Sequence, residues 1–272
     1  SRGVECWGAN GKGESTPPAL ADPRAVTAGR NHTCAIDGLT VKCWGSNEFG
    51  QVSPPPLENP TAISAGYNHT CVIDVGKVKC WGLNDNGQAS PPELVNPKSL
   101  ALGFDFSCAL TESGVRCWGN GDLDQTSPPE LVDPTAITAG FAHACAIDKT
   151  GVKCWGYNTF GQSSPPLLVH PTTVVAGIRH TCAVDQSGIK CWGDNRDGQT
   201  IVPPMTLPKL IEAGANHTCV LNDKGVKCWG LNDGGQSSPP ESKNARSMVE
   251  GDLHTCVLDD EGVKCRGSNL YG

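Results

Sequence analysis

Two cysteines nine residues apart recur at a fixed interval of 37 residues along the chain. The first of each pair is Cys34, Cys71, Cys108, Cys145, Cys182, Cys219 and Cys256, and the second is Cys43, Cys80, Cys117, Cys154, Cys191, Cys228 and Cys265. No insertion interrupts the interval, so the chain is a stack of equal units. Residues that recur in every unit serve the scaffold. Residues that vary at a fixed unit position are where a specific task can lie. The units run over 23–59, 60–96, 97–133, 134–170, 171–207, 208–244 and 245–272, preceded by an N-terminal strand at 3–8, and form one domain over 1–272.

Each unit reads as three short strands: an Ala62–Ala65 type ended by Gly66, then His69–Asp74, then Val78–Gly82. A glycine between the second and third strands (Gly38, Gly76, Gly114, Gly151, Gly188, Gly225, Gly262) marks a hairpin turn with a residue at positive φ. With Asp37 and Thr40 flanking that turn, Ile36 faces Val41 and Cys34 faces Cys43. Opposed antiparallel residues lie within disulfide reach. Zinc is the alternative, but each unit offers only three ligands, such as His32, Cys34 and Cys43, without the short spacings of structural zinc sites. Disulfides are therefore expected, in an oxidising compartment.

Alternation places Cys34, Ile36, Val41 and Cys43 on one face and Ala35, Lys42 and Trp44 on the other. Both faces carry apolar groups, as when each small sheet is sandwiched between two neighbours. The seven tryptophans (Trp7, Trp44, Trp81, Trp118, Trp155, Trp192, Trp229) share one position and read as inter-unit core. The cation before the second cysteine, as in Lys42 and Lys79, reads as a guard on an exposed edge strand. With 33 glycines and 21 prolines, the latter in the connectors, the composition suits many short strands. The fold class is all-β: a seven-bladed β-propeller of three-stranded blades, with one disulfide per blade. A solenoid is the competing architecture, but it needs distinct end caps, and the terminal units are nearly ordinary.

The net charge of −7 disfavours nucleic acid and anionic membranes as partners. No run of 18 apolar residues is present, so no membrane-inserted helix is expected. The opening on repeat sequence, with no visible signal peptide, reads as a mature or trimmed chain.

The motif Trp-Gly-x-Asn-x-x-Gly-Gln at Trp44–Gln51, Trp81–Gln88, Trp155–Gln162, Trp192–Gln199 and Trp229–Gln236 resembles the regulator-of-chromosome-condensation repeat, as does Ala-Gly-x-x-His-Thr at Ala65–Thr70. The short unit resembles most the propeller-type β-lactamase inhibitor proteins. That resemblance implies a secreted seven-bladed propeller that grips an enzyme with loops on one face and opens on a lone third strand, here Val4–Gly8. The paired cysteines depart from the inhibitor pattern.

The histidines His32, His69, His143, His180, His217 and His254 hold one repeat position and read as hydrogen-bonded scaffold; only His170 lies outside it. Aspartates such as Asp37, Asp74 and Asp148 precede the turns and read as Asx turns. No acid–base constellation, phosphate loop or calcium loop emerges, so neither an enzyme nor a cofactor is expected.

The variable positions carry the functional signal. Tyr67, Phe104 and Phe141 follow Ala-Gly or Leu-Gly, while Phe49, Tyr157, Phe160 and Tyr271 lie in the loop after Trp-Gly or its equivalent. With Arg30, Asp105, Ile178, Arg179 and Asp252, they are expected to form an uneven exposed ring on one rim. Exposed aromatics mark binding surfaces. An uneven ring suits one asymmetric extracellular protein, such as an enzyme to be inhibited. A glycan-binding adhesin or a polymer-forming surface propeller is the alternative. The chain is expected to be secreted or at the cell surface.

Eight third-strand segments compete for seven places. Val4–Gly8 closing the last blade, with Cys6 bridged to Cys256 and Cys265 left over, competes with a local hairpin through Val263–Gly267. The reading leans to the former. The displaced strand or odd cysteine offers a route to self-association.

Overall fold

The computed structural model describes residues 11–267 except 15, 207, 240, 243, 246, 251–253, 260 and 261. Seven three-stranded antiparallel sheets follow one another along the chain. The inner strands are Pro23–Ala28, Pro60–Ala65, Ser99–Leu102, Ala136–Ala139, Thr173–Ala176, Leu210–Ala213 and Ser247–Glu250. The middle strands are His32–Asp37, His69–Asp74, Phe106–Thr111, His143–Asp148, His180–Asp185, His217–Asn222 and His254–Asp259. The outer strands are Thr40–Gly45, Lys77–Gly82, Gly114–Gly119, Gly151–Gly156, Gly188–Gly193, Gly225–Gly230 and Gly262–Gly267. Two prolines, Pro23 and Pro60, open strands rather than staying in the connectors. As first residues, they remove no central ladder bond.

The register follows the cysteine spacing: Cys34 faces Cys43, Ile36 faces Val41, and Asp37 faces Thr40 across the turn. Six within-blade disulfides form, from Cys34–Cys43 to Cys219–Cys228, with Cα atoms 4.0–4.1 Å apart. The seventh sheet corrects an expectation. Its outer place is filled by Gly262–Gly267, with Cys256 opposite Cys265, and not by the N-terminal strand. The local hairpin closes a much shorter loop than a strand from the far end of the chain, and short closure costs less entropy. Cys6 and Val4–Gly8 lie outside the described residues, as do the side chains of Cys256 and Cys265.

Successive blades pack face to face. The Cys34, Ile36 and Val41 face of blade 1 meets Val72 and Trp81 of blade 2, and the Cys145 and Ile147 face of blade 4 meets Val174, Ala183 and Trp192 of blade 5. The first five disulfides therefore lie against the tryptophan of the next blade, a large aromatic that adds much buried area, while Cys219 packs with Met248 and Val257. The indole N–H of Trp81, Trp118, Trp155, Trp192 and Trp229 donates to the carbonyl of Gln51, Gln88, Gln125, Gln162 and Gln199 in the preceding loop, at 2.8–3.0 Å. Before blade 1 the same place is taken by Glu14, whose carbonyl accepts from Thr33 Oγ1, as Gln162 does from Thr181.

A second inter-blade ladder runs through the histidines. Nε2 of His32, His69, His143, His180 and His217 meets the hydroxyl of Thr70, Ser107, Thr181, Thr218 and Thr255 in the following blade, at 2.8–3.1 Å. Among the described residues the one gap is self-consistent: where Phe106 replaces histidine, the facing position of blade 4 is Ala144, and the two pack in one apolar cluster. Burial holds His32 and His143 down at about 4 and His69 and His180 at about 3, so all four are neutral at physiological pH.

The repeated lysine has a different role from the expected edge guard. Lys42, Lys79, Lys153 and Lys190 each donate to a connector carbonyl lying along the outer strand and pair with Asp37, Asp74, Asp148 and Asp185. Those carboxylates also accept connector N–H groups, from Ala21 and Asp22 in blade 1 and from Glu58 and Asn59 in blade 2. Only Asp148 and Asp185 also make the expected Asx turns, to Thr150 and Ser187. Among the described residues no helix is long and apolar enough to cross a membrane.

Candidate functional site

The inner strands of six blades surround a central opening built in tiers. One tier is Ala28, Ala65, Leu102, Ala139, Ala176 and Ala213; the next is Gly29, Gly66, Gly103, Gly140, Gly177 and Gly214; the outermost is Arg30, Tyr67, Phe104, Phe141, Ile178 and Ala215. The glycine tier is a close-approach requirement. A Cβ on Gly66 would collide with the carbonyl oxygen of Gly103 in the next blade and with the ring of His69 beneath it.

Four N–H groups of the outermost tier are satisfied from blade to blade. The Arg30 N–H donates to Tyr67 O at 3.2 Å, Tyr67 to Gly103 O at 3.3 Å, Phe104 to Phe141 O at 2.9 Å and Ile178 to Ala215 O at 3.1 Å. Side-chain identity here is thus free of backbone duty. That freedom explains why these positions vary while the glycines do not and the histidine position changes only at Phe106.

The side chains form a continuous stack around part of the mouth. Phe104 lies between Tyr67 and Phe141, with ring centroids 4.3 Å apart on each side. The Arg30 guanidinium caps the far face of Tyr67 at 4.5 Å, a cation–π contact. Phe141 is 37 % exposed at the other end and leads to Ile178. The cavity they ring holds about 190 Å³. That is below the roughly 300–1,000 Å³ of small-molecule pockets and leaves room for about one inserted side chain.

The loops after Trp-Gly open on the same face. The N–H groups of Ser46, Leu83, Asn120, Tyr157, Asp194 and Leu231 donate to the carbonyls of Asn31, Asn68, Asp105, Ala142, Arg179 and Asn216, each one residue past the mouth tier. The expected single ring separates into two groups. Besides the mouth stack, Phe160 is held between Arg179 and Arg196, each 5.0 Å from its centroid, with Tyr157 at 6.1 Å. Arg196 is fixed by a bidentate pair with Asp194. Phe49 is 44 % exposed and, among the described residues, joins neither group. Asp105 is partly buried with Oδ1 unpartnered; burial, then the Asp122 carboxylate, holds it above the usual range. Asp252 and Tyr271 lie outside the described residues. Arg196 is legible in the sequence as a variable loop residue but not as a site residue, because its ring partner lies in the loop of the preceding blade.

The recurring polar groups of the loops are committed to their own geometry. Gln51, Gln88, Gln162, Gln199 and Gln236 accept a loop N–H through Oε1. Asn47, Asn84, Asn158, Asn195 and Asn232 do the same through Oδ1.

The Regulator of chromosome condensation (RCC1) repeat matches residues 61–88, 98–125, 135–162, 172–199 and 209–236, together just over half of the chain. The chain belongs to the RCC1 repeat family. Solved structures agree with that family fold. The ectodomain of the receptor kinase CR4 of Physcomitrella patens is similar at 25 % identity and a TM-score of 0.73, over 92 % of this chain and 75 % of that one. The ectodomain of the Arabidopsis thaliana receptor kinase ACR4 is similar at 21 % identity and 0.71, over 92 % and 98 %. Prp20p of Saccharomyces cerevisiae, described with its binding to Gsp1p and histones, is similar at 18 % and 0.72, over 98 % and 91 %. No curated protein sequence matches the chain. This RCC1-repeat protein thus combines a family scaffold with a disulfide in each of six blades.

Proposed function

We propose that the chain is a closed seven-bladed propeller acting outside the reducing cytosol, as a secreted or cell-surface binding module for a protein partner. The observation that carries this is the Arg30–Tyr67–Phe104–Phe141 stack at the channel mouth, an asymmetric and partly exposed group. Aromatic and arginine side chains clustered around a small recess are the usual anchors of protein interfaces. Six disulfides support an oxidising compartment, and so does the likeness to a receptor-kinase ectodomain. The module is non-catalytic in this reading, since its histidines are neutral, buried and tied to the next blade.

A lectin with one sugar per blade would use the repeated groups, but those His, Thr, Asn and Gln side chains already hold the blades and loops. Inhibition of an extracellular enzyme is the narrower form of the proposal, with the recess receiving a projecting side chain of the enzyme. Capture from a native extracellular fraction on the immobilised chain, beside Tyr67→Ala/Phe141→Ala, tests the general reading. A protein retained by the first and lost by the second supports it; equal retention overturns it. Nanomolar inhibition of a class A β-lactamase establishes the inhibitor form, and its absence removes it.

A further inference from the structure

The loops on the face of the mouth stack carry aspartates that form no ion pair. Asp85, Asp122, Asp124, Asp197 and Asp233 occupy the loops around the mouth, and Asp105 adjoins Phe104. Among the described residues none of these six forms an ion pair. The cations of the same face are otherwise engaged. Lys12 pairs with Glu48, Arg196 with Asp194, Arg30 lies on Tyr67 and Arg179 on Phe160. The opposite, hairpin end is balanced by pairs such as Arg24–Asp22, Lys149–Asp133 and Lys209–Asp223. These carboxylates form an acidic collar around the aromatic centre, within a chain of net charge −7.

We infer that the partner is a basic protein surface: an apolar or aromatic side chain that enters the recess, flanked by lysines or arginines that meet the collar. Two features of the face lead to this occupant. The recess is sized for one side chain, and Asp105 places a partly buried carboxylate with an unpartnered Oδ1 beside Phe104. A cation reaching Asp105 also comes within range of the Asp122 carboxylate. An acidic partner would place its charges against the collar, and like charges across an interface cost several kcal/mol. The collar steers the encounter and the stack anchors it, so salt should slow association without abolishing the anchor.

This inference rests on the mouth being the binding face, and its test separates the two. A random peptide library displayed on phage is selected against the intact disulfide-bonded chain. The same selection is run on Phe141→Ala and on Asp85→Asn/Asp122→Asn/Asp197→Asn, with folding checked by melting temperature. The expected peptides carry two or more Lys or Arg around an apolar residue and bind at least tenfold more weakly to either variant and in 0.5 M salt. Peptides that need Phe141 but show no Lys or Arg enrichment, or bind the collar variant equally, overturn the basic-partner inference while leaving the binding face intact. Peptides that bind all three proteins equally, or no enrichment at all, overturn both.

Discussion

At the hairpin end of each blade the repeat spends its polar groups on itself. Asp37 and Asp74 hold connector N–H groups, and Lys42 and Lys79 hold connector carbonyls. The exposed large aliphatics there are single residues in five of the blades, Leu39, Val75, Val95, Val132 and Val169, the scattered kind that needs no explanation. At the mouth end the backbone is closed by the blade-to-blade ladder, and the side chains above it are left over: aromatics touching aromatics, arginines on rings, carboxylates without cations. One 37-residue unit produces both ends. The difference shows that in a strict repeat, function collects where the scaffold's hydrogen bonds are complete without the side chain.

The comparison can be broken hardest with acid, which attacks the layer beneath the mouth. His32, His69, His143 and His180 titrate near 6.5 when unfolded and at about 3 to 4 when folded. A histidine whose folded value is lowered carries no penalty above pH 6.5. Below it the unfolded chain takes protons that the native state refuses, so stability falls until the folded values are reached. Four such groups give a loss on the order of 5 kcal/mol per pH unit between about 6 and 4. A steep, cooperative acid transition in that window, followed by circular dichroism, is the expected outcome; stability that stays flat to pH 4 contradicts the burial of the ladder.

Reduction comes next. Each disulfide closes a short loop and contributes about 2–3 kcal/mol on the chain-entropy account. Replacing Cys108 and Cys117 by alanine should lower stability by about that amount and leave mouth binding intact, because the bridge lies between blades and away from the rim. Chemical denaturation of the variant measures the first and its affinity the second. Mass mapping should recover all six within-blade pairs.

A smaller effect sharpens the contrast inside the ladder. Phe106 and Ala144 form an apolar rung, directly below the Phe104–Phe141 pair. Phe106→His alone leaves a buried imidazole without its hydroxyl and should cost about 1–3 kcal/mol. Adding Ala144→Thr should recover much of that loss in a double-mutant cycle, and additive losses would show that the rung is not a matched pair.

The periodic part of this architecture was legible in the sequence. The hairpin register, the cysteine pairs and the tryptophan layer follow from period-two alternation around a short turn, which one unit specifies completely. Three features were not legible, for a common reason: they join groups across the blade boundary, where sequence spacing gives no angle. The lysines turned out to pin connectors, Phe160 was caught by arginines from the next blade, and the expected aromatic ring separated into a stack and a satellite. The Phe106–Ala144 exchange was visible as two departures one unit apart, yet only the ladder explains them together. Closure of the last blade went to the local hairpin, because a short turn outweighs a tryptophan gained from the distant N-terminal strand.

The central claim is that the mouth stack binds and does not merely pack. The decisive measurement is a paired one on Phe141→Ala: dissociation constant for the captured partner and melting temperature on the same preparation. The account predicts a loss of about 1–3 kcal/mol in affinity, roughly tenfold or more, with the melting temperature nearly unchanged. Unchanged affinity with a clear fall in melting temperature would contradict it and return the aromatics to the scaffold.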